Sequence, residues 1–523
     1  MKAHTIISFL ILAGSAGLPL VSDNSNLSTI NLMIQGECTI AVLSGAVTVD
    51  GRPILWKNRD TYNPDQRFIY YQSYQRDGIE TIPFTGDCFR SDTTKIYMGA
   101  NASGFAIMNS DSYNLHDSLS NGIDDGTLMR LALETCRSLD DFSSLLDSTN
   151  ATGRRDCWNF GCFDTTGAGA IFECANRQYW RFDVSSSVSP MQGVLIRSNF
   201  SFMNDSLRVG LDRFDRAVSL TINRLDSSLI DIPFVLQVLS RDLANGYDDP
   251  YPLPYNRSQL SGPPGYIYNI GYTIANRSTM SVTAIRGVAQ GEPAFHTTIF
   301  AAIGQPVLSP AFPLWVGAES VPFYLSSPSG TPVLNICRQR ESRLYDNSRV
   351  PYHINSHFLV DNDSDGVFSY LFPLENWGVS QANQQLDNWW NSYPGPSEMD
   401  WQQFRISKAI FEGFENESAA LVFGDDGQPR NLPGELDFYC YPNPFNDNIH
   451  LAFDGIDSRY ATRIEIYNLS GQLITEITGT GTESGYVNWQ GCDRIGKAVS
   501  TGLYLCRLVN GPRNITKKIL YLK

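Results

Sequence analysis

A chain of 523 residues, 42% of them hydrophobic and 18% charged, holds enough apolar material for more than one buried core, at roughly 150 residues per domain. Its formal net charge of −15 argues against a surface built for nucleic acid or anionic lipid, because no basic run offsets the repulsion from phosphates. A small-molecule or peptide substrate is the expected partner.

Residues 1–22 place Lys2 ahead of an apolar stretch from Ile6 to about Ala13 and then small residues at Ser15 and Ala16, the order of a secretory signal peptide. Residues 23–37 read as a short polar propeptide. No later run reaches the roughly 18 apolar residues of a membrane-spanning helix. The texture changes at Cys38. Thr39–Ser44 and Pro53–Lys57 are β-rich runs around a turn at Asp50-Gly51, which sets Cys38 at the head of a strand hairpin. Leu128–Leu133 and Phe142–Leu146 carry helical spacing, and Ser138 with Asp141 forms a capping box for the second. Strands are expected again at Cys157–Asp164, Gly169–Cys174, Tyr179–Asp183 and Gly193–Arg197, and helices near Ser206–Leu225 and Pro233–Leu239. Strand groups bracketed by helix groups predict a layered α+β fold instead of a βαβ repeat. Asp425, Asp426, Gly427, Pro429 and Pro433 mark a linker, placed at 425–435, and strands follow from Leu436: Arg463–Asn468, Gln472–Ile477, Gly502–Leu508 and Lys518–Leu522. Residues 436–523 therefore read as a small all-β sandwich.

A cysteine that attacks an amide needs a base or charge to sustain its thiolate and donors for the developing oxyanion. No Cys/His pair announces itself. The free α-amine of an N-terminal cysteine is another base, with an ordinary pKa of about 7.7–8.0, provided the bond before that cysteine is cut. The ten cysteines include no C-x-x-C and the six histidines no H-E-x-x-H, so a zinc enzyme is not expected, while an oxidising compartment permits disulfides.

The segment ECTIAVLSGAVTVDGRPILWKNRD, Glu37 to Asp60, resembles the start of N-terminal nucleophile hydrolases of the acyltransferase and linear-amide hydrolase kind, the group of isopenicillin N acyltransferase, choloylglycine hydrolase and penicillin V acylase. The resemblance makes Cys38 the nucleophile, released by autoproteolysis. It gives Asp60 the task of holding the Cys38 amine and Lys57 that of adding charge near the sulfur. The family usually has Arg where this chain has Lys57, which removes a planar fork of donors. MGANASGFAIMN, Met98 to Asn109, is similar to the family segment ending in an oxyanion-hole asparagine, here Asn109. NFGCFDTTGAGAIFECANRQYWRFD (Asn159 to Asp183) leads into GVLIRSNFS (Gly193 to Ser201), which carries over Asn199 as the residue that orders the nucleophile's surroundings, with Arg213 or Arg216 as a downstream arginine. The fold implied is a four-layer αββα sandwich over residues 38–424. The reaction implied is hydrolysis of a linear amide, or acyl transfer to an amine, with no metal or organic cofactor.

YPNPFNDNIHLAF (Tyr441 to Phe453), IEIYNLSGQLI (Ile464 to Ile474), STGLYLCRL (Ser500 to Leu508) and the closing KKILYLK resemble the sorting domain of bacterial type IX secretion, which implies that machinery as a partner and export to the cell surface or medium. Two rival readings remain: a dipeptidase of the related cysteine-nucleophile kind, which demands a free substrate N-terminus, and a surface binding protein on a decayed hydrolase scaffold. Blander residue readings stand beside these. An isolated cysteine is commonly core, Asp60, Asn109 and Asn199 suit turns, and Lys57 suits a solvated strand end. Trp158, Trp180, Phe312 and Trp315 suit core. Asp361, Asp363, Asp365 and Gly366 imitate a calcium loop, but its twelfth position is Phe372 instead of Glu. His353 and His357 stand four apart with no third ligand evident.

Overall fold

The structure, a computed structural model, describes residues 38–115, 121–186, 191–244, 266–267, 273–327, 330–345, 354–360, 366–390, 392–420, 436–441, 443–456, 460–478 and 485–523. The signal peptide, the propeptide, the linker, His353 and the Asp361–Asp365 cluster lie outside them, as does the side chain of His357.

In chain order the main strands are β1 (Cys38–Leu43), β2 (Ile54–Asp60), β3 (Gln66–Tyr71), β4 (Phe84–Phe89), β5 (Met98–Asn101), β6 (Ala106–Asp111), β7 (Trp158–Phe163), β8 (Gly169–Cys174), β9 (Tyr179–Asp183), β10 (Val194–Arg197), β11 (Thr279–Arg286), β12 (Thr298–Ile303) and β13 (Phe312–Trp315). The main helices are α1 (Asp125–Thr135), α2 (Leu139–Thr152), α3 (Leu211–Leu225), α4 (Pro332–Leu344), α5 (Val367–Trp389) and α6 (Pro396–Glu415). One six-stranded sheet runs β10-β1-β2-β11-β12-β13 and a seven-stranded sheet runs β9-β8-β7-β6-β5-β4-β3, each antiparallel throughout.

The two sheets meet face to face, β1 and β2 against β6 and β7. Alternation along β1 sends Ile40 and Val42 into that interface. They seat there because β7 and β8 present glycines: a Cβ at Gly161 would stand 3.2 Å from Val42 Cγ2, and one at Gly169 only 2.7 Å from Val42 Cγ1. Helices α1 and α2 cover the outer face of the seven-stranded sheet, where Phe142 sets its ring edge-on against Phe160 and Phe172. The predicted capping box closes α2 at its start, Ser138 accepting from the Asp141 N–H and Asp141 from the Ser138 N–H. Helix α3 packs on β10, and α5 and α6 pack on β13. The order of layers is helix, sheet, sheet, helix, the expected αββα sandwich. No disulfide joins any of the ten cysteines among the described residues.

After this four-layer sandwich come β14 (Asp437–Tyr441), β15 (Ile449–Asp454), β16 (Thr462–Asn468), β17 (Leu473–Thr478), β18 (Gly485–Trp489), β19 (Gly502–Asn510) and β20 (Arg513–Tyr521). They form a three-stranded sheet, β14-β15-β18, and a four-stranded sheet, β17-β16-β19-β20, around an apolar core that includes Phe438, Leu451, Ile464 and Trp489. This is the small all-β sandwich expected from Leu436 onward. It rests on α6: the Tyr441 ring stacks on Phe404 at 4.3 Å and the Tyr441 hydroxyl donates to Asp400 at 3.2 Å. No described helix is long and apolar enough to cross a membrane.

Candidate active site

Cys38 heads β1, paired across β2 with Arg59, while Ile40 pairs with Lys57. The Cys38 nitrogen donates to Asn199 Oδ1 at 3.0 Å. Asn199 stands just past the end of β10, the other neighbour of β1, and its Oδ1 also accepts from Arg213 Nη2 at 2.8 Å. From α3, Arg213 Nη1 further donates to Thr39 Oγ1 at 3.3 Å and lies 3.8 Å from Asp60 Oδ2. Asp60 in turn accepts from Asn276 Nδ2 at 2.5 Å and Thr279 Oγ1 at 2.6 Å. The Cys38 nitrogen is thus one end of a buried chain running through Asn199 and Arg213 to Asp60.

A second chain reaches the facing sheet. Lys57 extends from β2 to donate to Asn109 Oδ1 at 2.7 Å, on β6, and to the Tyr97 carbonyl at 3.0 Å. Asn109 Nδ2 donates to Asp125 Oδ2, at the first turn of α1, at 3.0 Å. Because Lys57 occupies the carboxamide oxygen, the orientation of Asn109 is fixed with its NH₂ on the opposite side. Neighbouring Arg59 is buried as well, its guanidinium stacked 3.9 Å from the Tyr97 ring centre and 3.6 Å from Asp87.

Burial sets the resting charges. The Cys38 thiol is pushed above its ordinary value chiefly by desolvation; Lys57 opposes this, Asp60 and Asp111 add to it, and the Asp60 N–H donates to the sulfur. Desolvation likewise pulls the Lys57 ammonium below its ordinary value, against the pull of Cys38, Asp125 and Asp111. Both shifts favour a neutral thiol beside a weakly held lysine proton.

All six residues proposed from the sequence, Cys38, Lys57, Asp60, Asn109, Asn199 and Arg213, are buried and joined in these two chains. Of the two candidate arginines, Arg213 is the one at the site; Arg216 pairs with Asp242 through contacts of 2.9 and 2.7 Å. Arg59, Asp111, Asp125, Asn276 and Thr279 escaped the sequence reading. Asp125 sits where any helix favours an acid, and Asn276 and Thr279 are more than two hundred positions from the carboxylate they serve. A cavity of about 740 Å³ lies to one side, between β10 and α3, lined among others by Phe182, Met191, Ile196, Phe202, Phe214 and Val218; Cys38 is not among its lining residues. Among the described residues no group of three or more His, Cys, Asp or Glu is placed to hold a metal ion.

Residues 47–211 match the family model for acyl-coenzyme A:6-aminopenicillanic acid acyl-transferase, and residues 439–521 match that for a secretion system C-terminal sorting domain. The chain thus carries a stretch similar to that acyl-transferase family and, after it, one similar to a secretion sorting domain. The acyltransferase match spans Lys57, Asp60, Asn109 and Asn199, and stops short of Cys38 and Arg213. The second match is to a domain described by its role in sorting for a secretion system.

Among solved structures, a mutant conjugated bile acid hydrolase from Clostridium perfringens is 14% identical to this chain, with a TM-score of 0.30 over 51% of this chain and 89% of its own. Penicillin V acylase from Agrobacterium tumefaciens is 12% identical, with a TM-score of 0.32 over 53% of this chain and 86% of its own. PorZ, a bacterial surface component of the type-IX secretion system of Porphyromonas gingivalis, is 17% identical over 16% of this chain, with a TM-score of 0.14; the match spans 11% of PorZ. No curated protein sequence matches the chain.

Proposed function

We propose that the chain is a secreted N-terminal cysteine hydrolase that cleaves a linear amide through an acyl-enzyme on Cys38. The observation that carries this reading is the seating of Cys38: its nitrogen is held by the Asn199–Arg213 pair while Lys57 and Asn109 converge from β2 and β6. In the uncut chain that nitrogen is a peptide N–H. Cleavage of the Glu37–Cys38 bond turns it into an amine held by the same asparagine, within reach of its own thiol.

The amine then takes the thiol proton, the sulfur attacks the amide carbon, and the carbonyl π-electrons move onto oxygen. Asn109 keeps one N–H on Asp125 and has a second to offer the oxyanion, its orientation pinned by Lys57. Collapse expels the leaving nitrogen, which takes the proton from the Cys38 ammonium, and a thioester remains. Water, activated by the now neutral amine, releases the acid; an amine in its place gives acyl transfer. The proposed extent of this domain is 38–424, with the sorting domain at 436–523.

Intact mass and N-terminal sequencing of the secreted protein test the reading at its root. Maturation at Cys38 is expected, with Cys38→Ala uncut at that bond and inactive against an amide panel of penicillins, bile-salt conjugates, acyl amino acids and acyl-homoserine lactones. A mature protein that retains residues 23–37 ahead of Cys38 overturns the amine-base mechanism and favours a binding protein.

A further inference from the structure

The cavity of about 740 Å³ beside β10 has its origin in the sheet order. Strand β10 ends the six-stranded sheet and β9 ends the seven-stranded one; both line the cavity, and α3 roofs it with Phe214, Val218 and Ile222. It wraps the free edge of β10. Arg197 stands opposite Ile40 and shares its side, towards the facing sheet, whereas Ile196 stands opposite Ala41 and projects the other way, yet both line the cavity. The volume falls within the range of small-molecule sites, and two lining residues, Phe202 and Ile222, are 37% and 43% exposed, which gives an apolar mouth.

One buried charge interrupts the apolar lining. Arg197 is 2% exposed, and its guanidinium carbon lies 4.1 Å from the Phe202 ring centre and 5.3 Å from that of Phe182, both lining residues as well. Its Nε donates to Glu173 Oε1 and its Nη1 to the Ile196 carbonyl, each at 2.7 Å. Nη2 has no acceptor among the described residues, although a buried N–H left without one is costly. Glu173 lies outside the lining and already accepts from the Phe202 and Met203 N–H groups at 2.9 Å. The other two lining charges, Arg181 and Asp183, pair with each other at 2.8 Å. A ligand in the cavity therefore meets hydrocarbon and one fixed cation with donors to spare.

We propose that this cavity is a binding site, separate from that of Cys38, for a carboxylate carried on a hydrocarbon chain. The chain lies against Phe214, Val218 and Met191, and the carboxylate accepts from Arg197 Nη2. A guanidinium held by two rings and one acid presents its remaining edge in a fixed direction, which suits a carboxylate better than a hydroxyl. An alkyl ammonium would meet like charge where little water screens it. Cys38 does not line the cavity, so the proposal is independent of the chemistry assigned to that residue.

Calorimetry on the full chain with decanoate, 1-decanol, decylammonium and butyrate, all below micelle-forming concentrations, tests it. Decanoate is expected to saturate one site per chain at least tenfold more tightly than decanol, with decylammonium weaker still. Butyrate, which keeps the head and loses the tail, is expected to bind at least tenfold more weakly than decanoate. Val218→Trp fills the cavity from its roof and is expected to abolish decanoate binding while melting stays cooperative. Because Arg197→Met alone would strand Glu173, the head group is tested in the double variant Arg197→Met with Glu173→Gln, where decanoate is expected to bind no better than decanol. Decanoate that fails to saturate, that binds no better than decanol or decylammonium to the unaltered chain, or that is unmoved by Val218→Trp overturns the proposal. Equal binding of butyrate and decanoate overturns it too, since the site is then one for a bare anion.

Discussion

The chain folds two β-sandwiches that solve the same packing problem in opposite ways. In the C-terminal sandwich the space between sheets is filled by Phe438, Leu451, Phe453, Ile464, Ile466, Trp489, Leu508 and Ile519. In the hydrolase sandwich the apolar seam of Ile40, Val42 and Leu55 gives way at one end to Lys57, Asn109, Asp60, Asn199 and Arg213, each buried and hydrogen-bonded. Buried polar groups are tolerable when every one is satisfied, but they contribute less to stability than the hydrocarbon they replace. The difference teaches that the larger core surrenders packing at one end of β1 to hold Cys38 in a fixed electrostatic setting, whereas the C-terminal core is packed by hydrocarbon throughout its centre.

Substitutions at matched depth should separate the two. Lys57→Met removes the charge that opposes the rise of the Cys38 thiol, and frees the Asn109 carboxamide to flip. A loss of at least about a hundredfold in kcat/KM is expected, with slower iodoacetamide alkylation of Cys38 at pH 8 and a melting curve close to wild type. Unaltered alkylation would remove the distinction drawn here for the active end.

Leu451→Ala in the sorting core, by contrast, should cost about 2–5 kcal/mol in denaturant unfolding of the sandwich and leave kcat/KM unchanged. A fall in turnover would mean that the tail supports the hydrolase through α6.

The smallest effect belongs to a buried ion pair far from the chemistry. Glu292 accepts from Arg52 and meets His296 at 2.8 Å, and these partners outweigh burial to hold it at about 2 instead of 4.5. A carboxylate depressed on folding contributes stability that is present above its unfolded value and lost as the pH falls through the folded one. Glu292→Gln should therefore lower Tm at pH 7, and the gap from wild type should close between about 4.5 and about 2.

The sequence exposed what local rules govern. The β1–β2 hairpin, the capping box at Ser138 and the strands of the tail followed from alternation, turn residues and caps, and Tyr179–Asp183 falls on the expected bounds. Five of the six candidate site residues came from ordered motif segments and Arg213 from a looser match shared with Arg216, and the fold brings the six together. What stayed hidden depends on distance or on burial from both sides. Strand β11, TMSVTAIR, alternates Thr279, Ser281 and Thr283 with Met280, Val282 and Ala284, but its polar side is buried as well, and nothing local tells which strands it pairs with. Helix α5 carries Pro373 in its interior, which reads as a break. Arg213 and Arg216 are three apart on one helix and indistinguishable by type; only the packing of α3 on β10 turns the first towards Asn199. Asp111 reads as a strand end and Asp125 as a helix start, and neither signals the other.

The glycines at 161 and 169 set the thickness of the hydrolase sandwich, and thickness here is a gauge length. Lys57 is anchored on one sheet and ends on the other, so its reach to Asn109 holds only while Val42 can settle against bare backbone. A single methyl group at Gly161 would act as a shim: the apolar seam could absorb it by spreading, but a side chain of fixed length could not. Tolerance for drift in the oily interior of this sandwich is therefore set by the span of one lysine.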